Sequence, residues 1–550
     1  MKKILHRHWV SIVFFLTPWI VFFSVQWPRM LSMRADGLYS GHPYLWSDWS
    51  MHLTLVSMFA YRPPAHWFDS LPVYAGANVT YPFVTNLLSG LLVRLGTGFP
   101  FATTAPSLVF TICALVLLYA FLSYLCSSKI WAVVAGWIIL CSGGLGFFLQ
   151  SQEFSVYQVF TDSTLTLTQD GPSGLEVNSL IPSMIFPQRA FTLGFPVGLS
   201  IFLILLVNFW RVQPQVFPRF EILRKRKVLV VAGIFAGLLP IIHTHTFLVI
   251  FLFSAWSFLF SYKNFKEWMY FAIPAAILSL FCYITFLSKS VYPSTFFSYN
   301  PWWVSQDGLF PWLLFWWKNW GVFAPLAIIG MIFLWSKKSK TLFLFSLFFF
   351  LLFIVSNVLQ FQPQVWDNTK MFAWSYIGLS VVVVETLRLV HKHATVGISH
   401  AIIGILLFCL MISGGLDVIH TLDAKTKTFR MLSSEELTLA SWVRSNTPPD
   451  AVFLTAFSVT NPVSMAGGRS VLSGHPGWAY SYGLPHLKRE EDIKNMLKNP
   501  SYYLALFDSL SVNYVMIGPA ELEHTPDVVF FESVFSPVYT NGTHTIYKRL

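Results

Sequence analysis

Charged side chains are scarce in this 550-residue sequence, where they make up only 11% of the residues. An ordinary soluble domain carries about 25% charged residues, and a large soluble chain needs them to cover its surface. Hydrophobic residues account for 55% and aromatic residues for 18%. This composition is hard to reconcile with a soluble globular protein, excludes a disordered chain or a collagen-like fibre, and favours a polytopic membrane protein.

Cysteine is also rare, and all five cysteines fall in or at the ends of apolar segments. They offer neither a disulfide framework nor the spacing of a zinc site, so we interpret them as small buried apolar residues. The sequence contains no Walker loop, dinucleotide fingerprint, G-x-S-x-G elbow or H-E-x-x-H motif. ATP-driven pumps and hydrolases of those classes are therefore disfavoured.

The net charge of +11 is unevenly distributed along the chain. From Asp423 to Leu550 there are 11 basic and 12 acidic residues, whereas the preceding part holds 25 basic and 13 acidic residues. Short cytoplasmic loops of membrane proteins collect Lys and Arg, so this excess indicates loops between spans. A nucleic-acid-binding protein would instead show a basic face on a soluble domain, and none is visible.

Apolar segments near the length of a membrane span, about 20 residues, recur along the chain. They number eleven and lie at roughly 9–27, 104–126, 130–150, 190–210, 228–242, 246–261, 268–287, 319–335, 341–359, 371–390 and 396–417. With the N-terminus inside, every short lysine-rich loop, including 211–227, falls on the cytoplasmic side. The sequence therefore predicts a polytopic α-helical membrane protein of about eleven spans, N-terminus in and C-terminus out.

The spans divide the chain into a transmembrane module, residues 1–422, and an outer domain, residues 423–550. The first span is too aromatic for a cleaved signal peptide and is expected to be retained. The two longest outer loops, 28–103 and 151–189, are too long for simple turns. Within the first, Trp46–Tyr61 is expected to form an amphipathic helix that lies along the membrane surface or caps a cavity.

Residues 423–550 have the pattern of a mixed α/β domain. Ser433 and Glu436 match a capping box at the start of a helix, and Asn541-Gly542 marks the turn of a hairpin. We expect this domain on the periplasmic, or otherwise extracytoplasmic, side of an inner or plasma membrane.

Ionisable residues at membrane depth are costly, so each is treated as a functional hypothesis. Such residues, scattered along the sequence, fall in outer loops or at the outer ends of spans, and they are Asp48, Arg189, His243, His245, Asp367 and Lys370. The topology predicts that they gather at one membrane face.

Asp48 and His52 are four residues apart and share one face of the expected helix. Asp48 can act there as a general base or orient the imidazole of His52. The structural alternative is that Ser47 or Asp48 caps the helix. Asp36 is a second carboxylate of the same loop, although Asp36-Gly37 is also typical of a turn.

His243 and His245 lie two residues apart and face different directions on a regular helix or strand, so a shared metal would require irregular backbone. Ligand or phosphate binding and purely structural roles are the other interpretations. Arg189 and Lys370 each precede a span. They either snorkel to the membrane interface or hold a phosphate, Arg as a planar fork and Lys as a point charge.

Several motifs together resemble the GT-C superfamily of integral-membrane glycosyltransferases. Ser47-Asp48-Trp49-Ser50-Met51-His52, Leu71-Pro72-Val73-Tyr74-Ala75-Gly76 and Tyr81-Pro82 are similar to the D-x-x-x-H, P-x-x-x-G and Y-P pattern of its prokaryotic members. Phe186-Pro187-Gln188-Arg189, His243-Thr244-His245 and Trp366-Asp367-Asn368-Thr369-Lys370 are similar to outer-face motifs of the same group. The resemblance covers essentially the whole chain.

The resemblance implies an inverting transfer of a hexose or pentose from a polyprenyl-phosphate-linked donor to a lipid, glycan or protein acceptor at the outer face. It implies an acidic base in the first outer loop, and Asp48 matches that position best, with Asp36 as reserve. We expect Arg189 and Lys370 to bind the donor phosphate. The cavity is expected to be lined by His52, His243, His245, Gln188, Asp367 and Asn368.

The first outer loop contains no clear D-x-D or E-x-D motif, so we predict that the activity requires no metal ion and no other cofactor. The C-terminal domain also lacks the W-W-D motif of oligosaccharyltransferases, which disfavours en bloc protein N-glycosylation.

A transporter or flippase for a lipid-linked or anionic substrate is the main alternative, with the same cations forming a permeation site. Transporters usually show internal repeats and charges near the membrane midplane. No repeat is visible here and the polar residues collect at one face, so the transferase is preferred. A polytopic acyltransferase that uses His243 is a third interpretation, disfavoured by the large outer domain.

Overall fold

The computed structural model describes residues 2–126, 128–177, 179–210, 218–289, 297–337 and 339–550. The chain forms two compact units, each assembled from segments that are distant in sequence. Unit 1 consists of Met1–Gln26, Leu108–Cys282 and Phe297–Lys427, and unit 2 consists of Trp27–Ser107, Tyr283–Phe296 and Thr428–Leu550. Segment 28–103 therefore shares a unit with the C-terminal residues, and the compact units cut across the predicted boundary at residue 422.

Unit 1 is built mainly from apolar helices, which satisfy their own backbone hydrogen bonds and so suit a lipid environment. Lys2–Met30 and Phe99–Leu125 are each divided between the units. The other helices of unit 1 are Lys129–Leu140, Gly146–Glu153, Val156–Thr161, Arg189–Leu205, Arg226–Ile242, Thr244–Ser261, Phe265–Cys282, Leu309–Trp320, Phe323–Ser336, Lys340–Ser356, Thr369–His393, Val396–His420 and Ala424–Lys427. A short antiparallel ladder joins Ser298–Tyr299 to Leu359–Gln360.

Within the described ranges, six helices are long and apolar enough to cross a membrane, or seven if one bent pair counts as a single span. That pair, Leu309–Trp320 and Phe323–Ser336, is bent by 99°. Thr244–Leu287 forms one helical stretch of 44 residues across two of the predicted spans, and Lys129–Leu140 is too short to span alone. The count of eleven and the orientation stay predictions, and residues 211–217 of the predicted 211–227 loop lie outside the described residues.

Unit 2 combines two sheets with short helices. Its mixed five-stranded sheet has the order Ser470–Val471, Val452–Leu454, Tyr514–Ile517, Thr545–Lys548 and Ser536–Thr540. A three-stranded antiparallel sheet joins Leu31–Arg34, Gly37–Ser40 and Phe429–Ser433. The helices wholly within unit 2 are Asp48–Tyr61, Val84–Arg94, Ser434–Asn446, Pro462–Met465, Pro476–Ser481, His486–Lys498, Leu504–Ser509, Pro519–Leu522 and Val528–Val534.

Local signals in the C-terminal part of unit 2 are confirmed. The side chain of Ser433 accepts from the backbone N–H of Glu436, whose carboxylate accepts from the N–H of Ser433, which completes the predicted capping box. Ser536–Thr540 and Thr545–Lys548 form the predicted hairpin around Asn541-Gly542. Both features depend on neighbouring residues, so the sequence pattern is sufficient to predict them.

The helix predicted at Trp46–Tyr61 forms at Asp48–Tyr61 and is named here the Asp48 helix. Every residue from Trp49 to Ala60 is buried, so the expectation of an amphipathic helix is wrong. The Ser57 hydroxyl donates to the carbonyl of Met465 at 2.7 Å, which helps to place a polar residue inside the unit. Burial on all sides gives the start of this helix a defined position.

Candidate functional site

Asp48 and His52 lie one turn apart at the start of the Asp48 helix, as predicted. Asp48 is half-buried, whereas His52 is buried with its Nδ1 3.1 Å from Nδ2 of Asn86. Ser47 precedes the helix, but its side chain makes no capping hydrogen bond. Asn86 thus holds the imidazole of His52 in place, while the Asp48 carboxylate keeps partial access to solvent.

Aromatic side chains from the first outer loop and from the C-terminal part of unit 2 meet near this pair. The ring of Trp46 is 5.5 Å from the ring of His475. The ring of Tyr81 is 5.7 Å from His52 and 5.8 Å from Tyr482. Residues 475–482 therefore lie beside the start of the Asp48 helix.

Asp36 lies between two antiparallel strands, Leu31–Arg34 and Gly37–Ser40, which agrees with the turn interpretation. It is exposed, its Oδ2 accepts a 2.6 Å hydrogen bond from the Tyr39 hydroxyl, and Arg430 is 3.7 Å away. The hydrogen bond from Tyr39 lowers the pKa of Asp36. A carboxylate with a lowered pKa is a weaker proton acceptor, so Asp36 is less suited to act as a base than an aspartate with an ordinary pKa.

The two predicted histidines of unit 1 lie where helix Arg226–Ile242 ends and helix Thr244–Ser261 begins. His243 caps the second helix, because its Nδ1 accepts from the backbone N–H of Thr246 and lies 2.8 Å from the Thr246 hydroxyl. The two imidazole rings are 5.8 Å apart. Both Nε2 atoms are buried and have no hydrogen-bond partner among the described residues.

Arg189 is the first residue of the Arg189–Leu205 helix, directly after Gln188, and its side chain is completely buried. Arg189 therefore does not extend along the protein surface towards a membrane interface, as a snorkelling side chain would. Two residues later, the Phe191 ring lies 5.5 Å from the ring of His243. Gly194 belongs to the same contact, since a Cβ there would lie 2.5 Å from the His243 side chain.

Lys370 lies at the start of the Thr369–His393 helix and is nearly buried, so it does not snorkel either. Its Nζ donates to Asp367 at 2.6 Å. One turn later, Nε1 of Trp374 donates to the hydroxyl of Thr246 at 3.3 Å. This contact joins the start of the Thr369–His393 helix to the start of the Thr244–Ser261 helix, beside His243 and His245.

Asn368 has a different role from its neighbours. Its Oδ1 accepts from the backbone N–H of Phe361, and its Nδ2 donates to the carbonyls of Ser356 and Leu359. The side chain holds the turn before the Thr369–His393 helix. That Asn368 also lines a cavity stays a prediction.

Unit 1 thus brings together the starts of three helices, and we call Arg189, His243, His245, Asp367 and Lys370 the histidine cluster. Thr246 and Trp374, whose hydrogen bond links two of these helices, were not among the residues predicted from the sequence. His475 and Trp478 in unit 2 were not predicted either. A histidine and a tryptophan in the glycine-containing run Gly474-His475-Pro476-Gly477-Trp478 were the available signal.

The described residues contain no group of three or more His, Cys, Asp or Glu side chains placed to hold a metal ion. Independence from metal ions stays a prediction.

No protein-family model and no curated protein matches the sequence. Among solved structures, the chain is similar to ArnT from Cupriavidus metallidurans in the apo state, with a TM-score of 0.47, 8% identity, and coverage of 99% of this chain and 98% of that chain. It is also similar to the archaeal oligosaccharyltransferase AglB from Archaeoglobus fulgidus in complex with an inhibitory peptide and a dolichol-phosphate. There the TM-score is 0.41, the identity 12%, and the coverage 92% and 70%. These values are too low to transfer residue roles.

Proposed function

We propose that this chain is a membrane glycosyltransferase that moves a sugar from a polyprenyl-phosphate carrier to an acceptor hydroxyl. The observation that supports it most is the histidine cluster. Two buried imidazole Nε2 atoms have no hydrogen-bond partner among the residues that the structure describes. They lie in an apolar helical unit, where Lys370 donates to Asp367 at the start of an adjoining helix. Burying polar groups without partners is costly, so such a cluster is expected to have a ligand.

The histidine cluster has the chemistry to hold the phosphate of the donor. Lys370 uses one N–H on Asp367 and keeps two further donors for an anion. The protonated Nε2 tautomers of His243 and His245 add neutral donors, and Arg189 adds a guanidinium. Stabilising the charge that develops on the leaving phosphate would lower the barrier to transfer.

Asp48 is the residue we assign as general base. The acceptor oxygen attacks the anomeric carbon while its proton passes to the Asp48 carboxylate. The bond from that carbon to the phosphate oxygen breaks, and its electron pair leaves with the polyprenyl phosphate. Attack opposite the leaving group inverts the anomeric configuration. Partial access to solvent at Asp48 and the fixed position of His52 support this role.

The acceptor is proposed to bind outside the cytoplasm, with the N-terminus inside and residues 423–550 outside an inner or plasma membrane. The lysine-rich short loops support this orientation. Single cysteines introduced at exposed Lys337 and Tyr502 of a cysteine-free chain test it with a membrane-impermeant maleimide. Labelling of intact cells at position 502 and not at 337 is expected, and the reverse pattern would contradict the orientation.

The decisive experiment compares Asp48→Asn with wild type in the transfer of radiolabelled sugar from a polyprenyl-phosphate donor. Loss of a general base is expected to lower turnover roughly 10²- to 10⁴-fold while binding of the donor is retained. Asp69→Asn is the matched control, because Asp69 is an exposed carboxylate of the same unit that pairs with His66.

Near-wild-type turnover of Asp48→Asn would remove Asp48 from the mechanism. Substrate movement across proteoliposome membranes without any transfer of sugar would instead favour the transporter. Both measurements use the full chain in reconstituted membranes and are repeated with a chelator, which reports on the predicted independence from metal ions.

A further inference from the structure

Two indole rings of unit 2, Trp46 before the Asp48 helix and Trp478 in the segment Ser473–Tyr482, lie beside the imidazole of His475. His475 lies 5.5 Å from the ring of Trp46 and 5.7 Å from the ring of Trp478. Trp46 is 48% exposed, so one large aromatic surface faces outward just before the Asp48 helix. The indole of Trp46 is therefore accessible to a ligand, and the ring of His475 lies beside it.

Two polar atoms of the same segment have no hydrogen-bond partner among the described residues, although both are buried. They are the Oγ of Ser473, in a side chain that is 1% exposed, and the Nε1 of Trp478. Leaving buried donors unsatisfied costs about 1–3 kcal/mol each, so native structures rarely keep them without a ligand or water. A water molecule or a ligand hydroxyl is the kind of partner that completes such hydrogen bonds.

His475 adds a third donor of defined chemistry. Its Nδ1 accepts from the backbone N–H of Gly477, which leaves the proton of the neutral ring on Nε2. Burial lowers the pKa of His475, which keeps the ring neutral near pH 7. The Nε2–H group of the neutral ring can donate to a sugar hydroxyl without adding charge to the site.

Gly474 allows the indole of Trp478 to take its position. A Cβ at Gly474 would lie 2.9 Å from Cζ3 of Trp478, closer than side-chain carbons normally approach. Because Gly474 has no side chain, the Trp478 ring can pack directly against the backbone at this position.

We propose that Trp46, Ser473, His475 and Trp478 form a carbohydrate-binding site that takes a neutral sugar ring. A pyranose has apolar C–H faces that stack on indole rings, and hydroxyl groups that both donate and accept hydrogen bonds. A peptide would need paired backbone donors and acceptors, and a lipid tail would leave the buried polar atoms unsatisfied. The sugar is assigned to the acceptor, a step that rests on the proposed glycosyl transfer by Asp48.

The test uses the full-length chain, fluorescently labelled in detergent, on an array of immobilised glycans with neutral terminal hexoses and pentoses. Wild type is expected to bind at least one glycan class. Trp46→Ala and Trp478→Phe are each expected to weaken that binding roughly tenfold, since one removes a stacking surface and the other removes Nε1. Tyr502→Ala is the matched control, because Tyr502 is an aromatic residue of the same unit that is 87% exposed.

Trp46→Ala removes an exposed side chain, so a folding defect is not expected, and thermal unfolding of each variant checks this. Absence of neutral-glycan binding by wild type, or equal binding by wild type and both tryptophan variants, would overturn the inference. Binding only to acidic glycans or to a peptide array would overturn it too.

Asp48→Asn separates this site from the proposed catalysis. The variant is expected to bind glycans like wild type while losing transfer. Full transfer by Asp48→Asn together with loss of glycan binding in Trp46→Ala would reject the catalytic role and keep the sugar site. Unchanged glycan binding in both tryptophan variants together with loss of transfer in Asp48→Asn would reject the sugar site and keep the catalytic role of Asp48.

Discussion

Two sets of buried polar side chains, Arg62 in unit 2 and the histidines of unit 1, have different surroundings. In unit 2, the guanidinium of Arg62 donates to the carbonyls of Gly468 and Ser70 and to the hydroxyl of Ser470. Its pKa is lowered to about 10 by burial and by Arg469, so it remains charged near pH 7. In unit 1, by contrast, the imidazoles of His243 and His245 are also buried, but their Nε2 atoms have no hydrogen-bond partner in the described part of the chain.

The completeness of the hydrogen bonds distinguishes a buried polar group with a structural role from one in a candidate binding site. Arg62 joins the end of the Asp48 helix to residues 468–470, which are about 400 positions later in the chain, and its donors are used within unit 2. A polar group whose bonds are complete stabilises the fold, whereas one whose bonds are incomplete is expected to be completed by a ligand. Four variants test this distinction.

Arg62→Met is expected to have the largest effect, because it leaves the buried carbonyl of Gly468 and the hydroxyl of Ser470 without partners. The opening free energy of amides in the Asp48 helix should fall by about 3 kcal/mol in hydrogen exchange. Arg94→Met is the control, since Arg94 is exposed and water can replace its bonds to the same helix end. Equal losses in both variants would contradict a special role for the buried guanidinium.

His245→Leu is expected to weaken binding of a fluorescent polyprenyl phosphate roughly tenfold, since it removes an Nε2 donor at similar volume. The midpoint of thermal unfolding without ligand should hardly change. A large drop in thermal stability with unchanged affinity would show that His245 is a structural histidine and would weaken the comparison.

His243→Asn sharpens the comparison within the histidine cluster, because His243 is both a cap and a candidate ligand. Asparagine is a good helix cap, so it should preserve the capping bond to Thr246 while removing Nε2. His243→Ala loses the cap as well and should be less stable than His243→Asn by about 1 kcal/mol. Similar affinities for polyprenyl phosphate but different unfolding midpoints are expected for the two variants.

Ser163→Ala should have the smallest effect and gives a reference in unit 1 for a contact that involves no ligand. The Ser163 hydroxyl donates to Asp423 and is the main reason that the Asp423 pKa is lowered from 3.8 to about 2. A lowered folded-state pKa stabilises the chain above pH 3.8, and this stabilisation is lost as the pH falls towards 2. The thermal midpoints of wild type and variant should therefore differ at pH 6 and converge near pH 2, and a constant difference would argue against this cause.

The sequence predictions that the structure confirms rest on local patterns of neighbouring residues. The capping box at Ser433 and the hairpin at Asn541-Gly542 depend on residues within a few positions of each other. The face shared by Asp48 and His52 follows from helical spacing alone. The expectation of an amphipathic Trp46–Tyr61 helix failed because burial depends on partners such as Met465, which is 408 residues from Ser57.

Composition and periodicity by themselves determined that this is a chain of apolar helices with an α/β region near its end, because hydrophobic length and local capping are properties of short segments. Only the tertiary structure decided that Trp46 and His475 meet, and that Thr246 lies beside Trp374. It also decided that Asn368 holds a turn. Such pairings depend on non-local packing, in which residues far apart in sequence compete for the same buried space, and no short pattern records the outcome.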